Sequence, residues 1–317
     1  MKRTVVSDHS SHVMEEVIGD ITFEKGFSLS PLDPQITQRK GADKANTDTL
    51  YFYQPDTRPV WQMSQWYSKY DLAGTITQKN RDSISYSNQG KKITRHHDGS
   101  LLLEITTSTE YDHPRRDGEP WPHLLIEQKL NKRVNIGEVR KILFSMEMKL
   151  VKCTNMMREE DFNEALHTAQ TPLYFILKNT NKNSEDYNSA IWFGIPSFDY
   201  RYTKMSEKEL ISWDIGTQMF IYNVPQILVW GDISFQDMRW HKAETDLLPL
   251  MMRAVESMQE KGVFTATSLS DLVLTEMNFG WEVPGIFDAA VMVRGISLKV
   301  ERDTPDTMMT ASRSGFR

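Results

Sequence analysis

The sequence predicts an all-β protein: a two-sheet antiparallel β-sandwich of jelly-roll type, with one amphipathic helix near 245–261. Three observations predict it. The first is the stretch ILFSMEMKLV, in which Ile142, Phe144, Met146, Met148 and Leu150 alternate with Leu143, Ser145, Glu147, Lys149 and Val151. That period of two belongs to a strand, with one face in a core and the other carrying Ser145, Glu147 and Lys149. The second is the run of short alternating segments between Thr75 and Ser108: TITQ, SISYS, KKITRHH and SLLLEITTS. Turn signals at Lys79–Asp82, Asn88–Gly90 and Asp98–Gly99 separate them at the spacing of an antiparallel meander. The third is the scarcity of helix. Only 242–261 carries the full signature: Thr245 or Asp246 to cap it, Pro249 in its first turn, Gly262 to end it, and an apolar stripe of Leu248, Met251, Met252, Val255 and Met258. Many short strands with one helix pack as two sheets.

Taken in order, residues 1–20 are polar and read as a flexible N-terminal segment. ITFEKGFSLSPLDP gives a short strand and a proline-punctuated loop, and Gln35 to Thr49 is a polar loop. Leu50 to Leu72 is dense in aromatics, among them Trp61, Trp66, Tyr67 and Tyr70, which either line a sugar groove or pack across the sandwich edge. After the proline-rich loop Tyr111 to Pro122, HLLIEQKL (His123 to Leu130) is a strand, as are Thr171 to Thr180 and the start of SAIWFGIPSFDYRY, broken by Gly194 and Pro196. Ser206 to Trp213 reads as a short helix and Gln218 to Trp230 as one or two strands; Leu272 to Val283 and Asp288 to Arg302 close the sheets. One domain spans 21–302, followed by a polar tail at 303–317; an N-terminal subdomain ending near Pro122 is the alternative.

Composition narrows the partners. The chain has 317 residues and a net charge of −6, with neither sign in a long block, which argues against a nucleic-acid backbone or an anionic membrane. No window approaches the length of a membrane span. The start MKRTVVSDHSS lacks an apolar signal core, so a cytoplasmic location is expected for the chain as given, or an extracellular one after removal of a leader. The single cysteine, Cys153, beside an apolar strand, reads as a small buried hydrophobe.

Three glutamates sit on predicted strands at an outward phase: Glu127, Glu147 and Glu282. Two carboxyls facing one groove can divide acid and base roles, with separations of about 5–5.5 Å for retention and about 6.5–9.5 Å for inversion. Otherwise each is a solvent-facing strand residue paired with Lys129 or Lys149. The broken strand FGIPSFDYRY gathers Asp199, Tyr200 and Arg201 next to Trp192, either as a substrate-binding rim or as a local salt bridge under the helix. His167 and Gln170, with Tyr200 and Arg201, would suit a lyase in which Arg or Gln neutralises a uronate and His or Tyr takes the proton. No metal site is expected: the adjacent histidines of RHHDG point to opposite strand faces, and no acidic loop has calcium-cage spacing, though a structural Ca²⁺ is compatible with such a sandwich. No other cofactor is implied, because there is no phosphate loop, nucleophile elbow or cysteine-pair zinc motif.

The closing region, WHKAETDLLPLMMRAVESMQEKG followed by LTEMNFGWEVPGIFDAAVMVRGISLKV, resembles the end of a jelly-roll in the concanavalin A-like lectin/glucanase superfamily. More loosely it is similar to the C-terminal part of glycoside hydrolase family 12, over the last third of the chain. That resemblance implies a general-acid Glu on a late strand, matched by Glu282 in FGWEVPG, and a nucleophile Glu shortly before a Trp on an earlier strand. In YNSAIWF the residue at the latter place is Asn188. The function expected is therefore carbohydrate-active: an oligo- or polysaccharide bound in a concave, aromatic-lined groove and cleaved by a carboxylate pair, Glu147 with Glu282. Trp192, Trp66 and, against its phase, Trp281 are the stacking candidates. A non-catalytic lectin-like module, the polysaccharide lyase above and a structural protein with all its aromatics in the core are the alternatives.

Overall fold

The computed structural model describes residues 12–54 and 57–303; the C-terminal tail expected beyond 303 lies outside them. Two sheets account for the described chain. The smaller runs in the order His241–Asp246, Lys141–Asn155, Phe287–Asp303, Leu101–Thr106, Lys91–His96, Ser83–Ser87 and Gln78–Lys79. The larger runs Leu210–Asp214, Met219–Asn223, Ala190–Gly194, Leu173–Asn179, Leu272–Glu282, His123–Asn135, Trp61–Ser64, Phe27–Leu29 and Asp48–Leu50. From residue 123 onward, long strands are dealt alternately to the two sheets, which is what makes the sandwich a jelly-roll. Pairing is antiparallel apart from Ala190–Gly194 with Met219–Asn223 and Phe27–Leu29 with Trp61–Ser64.

The alternation read in the anchor strand is the one the core uses. Ile142, Phe144, Met146, Met148 and Leu150 are all buried. Phe144 meets Phe175 of the opposite sheet edge-to-face at 6.0 Å, and the Trp281 indole donates to the Leu103 carbonyl across the sandwich at 3.0 Å. Trp281 is thus a core residue and not a stacking platform. Burying an indole with its N–H satisfied contributes hydrophobic area without an orphaned donor.

Three elements differ from expectation. Residues 12–16, placed by sequence in a flexible segment, form a strand on Phe287–Asp303, where Glu16 accepts from the Val17, Ile18 and Leu298 amides and from the Ser297 hydroxyl. The helix is shorter, Leu248–Gln259, because 241–246 pairs with the anchor strand first. Asp246 does serve its start, accepting from the Leu248 amide at 3.1 Å, and Gly262 ends it at φ +80°. Of the stripe, Leu248, Met251, Val255 and Met258 are buried while Met252 is exposed. The segment read as a short helix, 206–213, ends instead in the edge strand Leu210–Asp214. No described helix is long and apolar enough to cross a membrane.

One buried ion pair fixes a loop that matters below. Lys91, on the smaller sheet, lies 3.4 Å from Glu110 with both side chains out of water. Its ammonium also donates to the Ser68 hydroxyl and the Tyr70 carbonyl, and Glu110 accepts from the Lys69 amide at 2.5 Å. Burial pulls the Lys91 ammonium below the ordinary lysine range, against the attraction of Glu110. The pair therefore staples residues 68–70, and with them Trp66 and Tyr67, to the sandwich.

Candidate active site on the outer face of the larger sheet

Because Met277, Phe279 and Trp281 point inward, the residues between them point outward: Glu276, Asn278, Gly280 and Glu282. Their cross-strand partners share that face. Glu282 stands opposite His123 and Gln170, Gly280 opposite Leu125, Asn278 opposite Glu127 and Tyr174, and Glu276 opposite Lys129 and Ile176. Next along, Tyr174 pairs with Gly194 and Ile176 with Trp192. Gly280 has φ +149°, and a Cβ there would lie 2.2 Å from the Leu124 carbonyl oxygen, so no larger residue fits. A floor with little side chain thus runs between the Glu282 level and the Glu127 level.

Glu282 is only partly buried, yet it has no cationic partner among the described residues. The Gln170 amide donates to it at 3.0 Å. Burial is the main cause that raises its pKa to about 7, with the nearby charge of Asp214 adding to the rise. At neutral pH a large share of this carboxyl is an acid with a proton to give. Opposite it, burial lowers His123 to about 4, so its ring is neutral; Nδ1 shares a 2.8 Å hydrogen bond with the Trp121 carbonyl. Three rings crowd His123: Trp66 at 5.7 Å, Trp121 at 5.7 Å and Tyr67 at 6.0 Å. Tyr67 holds a left-handed backbone, φ +57°. On the other flank Tyr174 and Trp192 meet at 5.6 Å.

Glu127 lies on the same face. It accepts from the Ser64 hydroxyl at 2.7 Å and is raised to about 7, mainly by burial and secondarily by Glu276. Glu127, Glu276, Lys129 and Gln62 line a small cavity of about 120 Å³. The Glu127 and Glu282 levels are four residue steps apart along the strand, about 13 Å at 3.3 Å per residue, wider than either glycosidase spacing. Several polar atoms of this face are buried with no partner in the described protein: Trp66 Nε1, Trp121 Nε1, Gln62 Nε2 and Asn278 Oδ1. Unmade hydrogen bonds of this kind are costly, and a bound polar ligand or water would satisfy them.

The other sequence candidates lie elsewhere. Glu147 belongs to the smaller sheet, where Arg294 grips it at 2.8 and 3.2 Å and stacks on Trp240 at 4.5 Å. It shares no face with Glu282, so the expected Glu147–Glu282 pair does not form. His167 is buried; it accepts the Asn163 amide at Nδ1 and bonds the Arg115 carbonyl through Nε2. Arg201 is locked to Asp199 by two hydrogen bonds of 2.9 and 2.6 Å, and the Thr168 hydroxyl completes that carboxylate. Tyr200 and Arg201 instead line a second cavity of about 510 Å³ with Phe162, Cys153 and Met238. His167 and Tyr200 both pack on Phe162, but both nitrogens of the His167 ring are engaged, Arg201 is spent on Asp199 and Gln170 on Glu282, so the groups a lyase needs do not face one open site. Asn188 is exposed in a turn at φ +71°, outside any strand. Of the candidates, Glu282, Glu127, Gln170, Trp192 and Trp66 come together.

Tyr67 belongs to the aromatic stretch the sequence offers as a groove lining, whereas His123, Trp121 and Tyr174 are site residues the sequence reading does not single out. Tyr174 was legible, since the alternation of TPLYFILKNT puts it outward; the meeting of Trp66 with Trp121 depends on a loop staple no local pattern encodes. Among the described residues no group of three or more His, Cys, Asp or Glu side chains is placed to hold a metal ion.

No protein-family model matches the chain, and no curated protein matches it. Solved structures do. The chain is similar to a family 12 xyloglucanase from Bacillus licheniformis, at 11% identity over 75% of this chain and 99% of that one, with a TM-score of 0.42. It is similar to an endoglucanase from Rhodothermus marinus, at 10% identity over 72% and 100%, with a TM-score of 0.40. A family 11 xylanase from Neocallimastix patriciarum aligns at 9% identity over 71% and 95%, with a TM-score of 0.37. The likeness concerns the course of the chain, and the chemistry of the face rests on its own side chains.

Proposed function

We propose that the protein is carbohydrate-active, seating an oligo- or polysaccharide across the outer face of the larger sheet and hydrolysing it with Glu282 as proton donor. The observation that carries this reading is a partly buried carboxyl, pKa about 7, on a face flanked by the rings of Tyr174 and Trp192 on one side and Trp66, Tyr67 and Trp121 on the other. Aromatic faces offer apolar area to sugar C–H groups, and a proton donor with a pKa near the working pH is matched to glycosidic oxygen. Glu127 and Glu276 extend the polar floor along which further sugar units would lie.

A second reading, a non-catalytic sugar-binding module on the same face, is favoured by one observation: the four-residue stagger between Glu127 and Glu282. A panel of soluble glycans, assayed for binding, for new reducing ends and for unsaturated products, separates the two. Reducing ends that vanish in Glu282→Gln support hydrolysis. Binding without turnover on every glycan leaves the module, and absence of binding to all of them overturns both.

A further inference from the structure

We infer that the hairpin Leu210–Asn223 folds its tip over the outer face of the larger sheet and that Asp214, at that tip, is the second carboxylate of the site, facing Glu282 across the space for one sugar unit. This rests on the hydrolytic reading above and supplies the partner that Glu127 is too far along the strand to be.

Three observations place the tip. Asp214 follows Leu210 and Ser212 in strand phase, opposite in phase to Trp213, whose ring packs on Phe220 at 4.8 Å. The tip is pinned to the sheet: the Trp192 indole donates to the Thr217 hydroxyl at 3.0 Å, and that hydroxyl donates to Asp214. Trp192 in turn packs on Tyr174, so an unbroken chain of contacts, Tyr174–Trp192–Thr217–Asp214, links floor to roof. The charge of Asp214 also acts, behind burial, on outer-face groups of three different strands, Glu282, His123 and Tyr174, in keeping with a tip that lies near that face. Asp214 makes no ion pair among the described residues. Its oxygens accept from the Gly216 and Thr217 amides at 3.0 and 3.2 Å and from the Thr217 hydroxyl, which orient it without neutralising it.

The chemistry balances with water alone. Glu282 gives its proton to the glycosidic oxygen as the C1–O bond breaks and its electron pair goes to that oxygen. Asp214 takes one proton from the water whose oxygen bonds to C1. Asp214 ends protonated and Glu282 ionised, and exchange with solvent restores both. The groups facing Glu282 are His123 across the strand, Gln170 beside it with Asp199 behind, already paired to Arg201, and Asp214 above.

Asp214→Asn is the decisive variant: Asn Oδ1 keeps the Gly216 amide while its Nδ2 gives up the bonds from the Thr217 amide and hydroxyl, and Thr217→Val, which loosens the tip but leaves the carboxylate, is the control for that loss. On a glycan the wild type cleaves, Asp214→Asn should lose about 100-fold or more in kcat with KM little changed, and the acidic-form limb of the pH profile should move down. Unchanged kcat and an unchanged limb would overturn the proposal. Placement is tested without any substrate by electron-spin distances between labels at Ile215→Cys and Tyr67→Cys, both exposed. A narrow, short distance that broadens and lengthens in Thr217→Val is expected; a broad, long one in the unpinned and pinned proteins alike would overturn the roof. Were no glycan cleaved, the hydrolytic reading would fail while the distance measurement still judged the position of the tip.

Discussion

Each sheet presents outward-pointing glutamates, and the two faces treat them in opposite ways. On the smaller sheet Glu147 is gripped by Arg294, beside the Lys242–Glu244 pair. These charges have countercharges and water around them, the ordinary condition of a strand exterior. On the larger sheet Glu127 and Glu282 have hydrogen-bond donors but, among the described residues, no ion-pair partner, and burial lifts both to about 7. Neighbouring polar atoms stay unmatched. A solvated face satisfies its own groups, whereas a site leaves some to be satisfied by what it binds.

That contrast can be broken by substitution. The largest effect should come from separating the two faces of one sheet. Trp281→Ala, inside, should cost about 3–5 kcal/mol in chemical denaturation, while Trp192→Ala, outside, should cost under about 1 kcal/mol and instead weaken glycan binding. If both destabilise equally, the outer face is packed rather than open. Next, Glu282→Gln should lower turnover by about 100-fold or more and leave glycan binding in place, read by calorimetry beside a reducing-end assay.

The same Glu→Gln change should then alter stability with opposite signs on the two sheets. A carboxyl raised from 4.5 to about 7 binds its proton more tightly folded than unfolded. The stability it contributes is complete below pH 4.5 and is lost as pH rises through about 7. At about 1.4 kcal/mol per pKa unit, and discounting for partial exposure, Glu127→Gln should stabilise the protein by about 1–2 kcal/mol at pH 8 and hardly at all at pH 4. A loss of stability at pH 8 would mean that Glu127 is held as an anion. His123 titrates in the opposite sense: lowered to about 4, it removes stability as pH falls through the range from 6.5 to about 4. The smallest effect is at Glu147, where Glu147→Gln should lose less than about 1 kcal/mol, fading with added salt.

How much of this was legible in the sequence follows from the range of each interaction. Strand alternation is local, so the Ile142–Leu150 face, the closing strands and the outward phase of Glu127 and Glu282 could all be read directly. Which sheet a strand joins is not local: Glu147 and Glu282 have the same phase, and only the crossovers send them to opposite faces. The cap at Asp246 is likewise local and legible, but the strand before it is not: pairing of His241–Asp246 with Lys141–Asn155 takes residues 242–246 out of the helix expected over 242–261. The aromatic cluster at His123 required a loop, carrying Trp66 and Tyr67, that is held by Lys91 and by Glu110, which lies about forty residues away in sequence.

The central claim, that the outer face of the larger sheet keeps Glu282 protonated near neutrality, is tested most directly by a carbon-13 NMR titration of the glutamate side-chain carboxyls. Two resonances titrating near pH 7 are expected, one of them absent in Glu282→Gln. A spectrum in which every glutamate titrates near the ordinary 4.5 would contradict it.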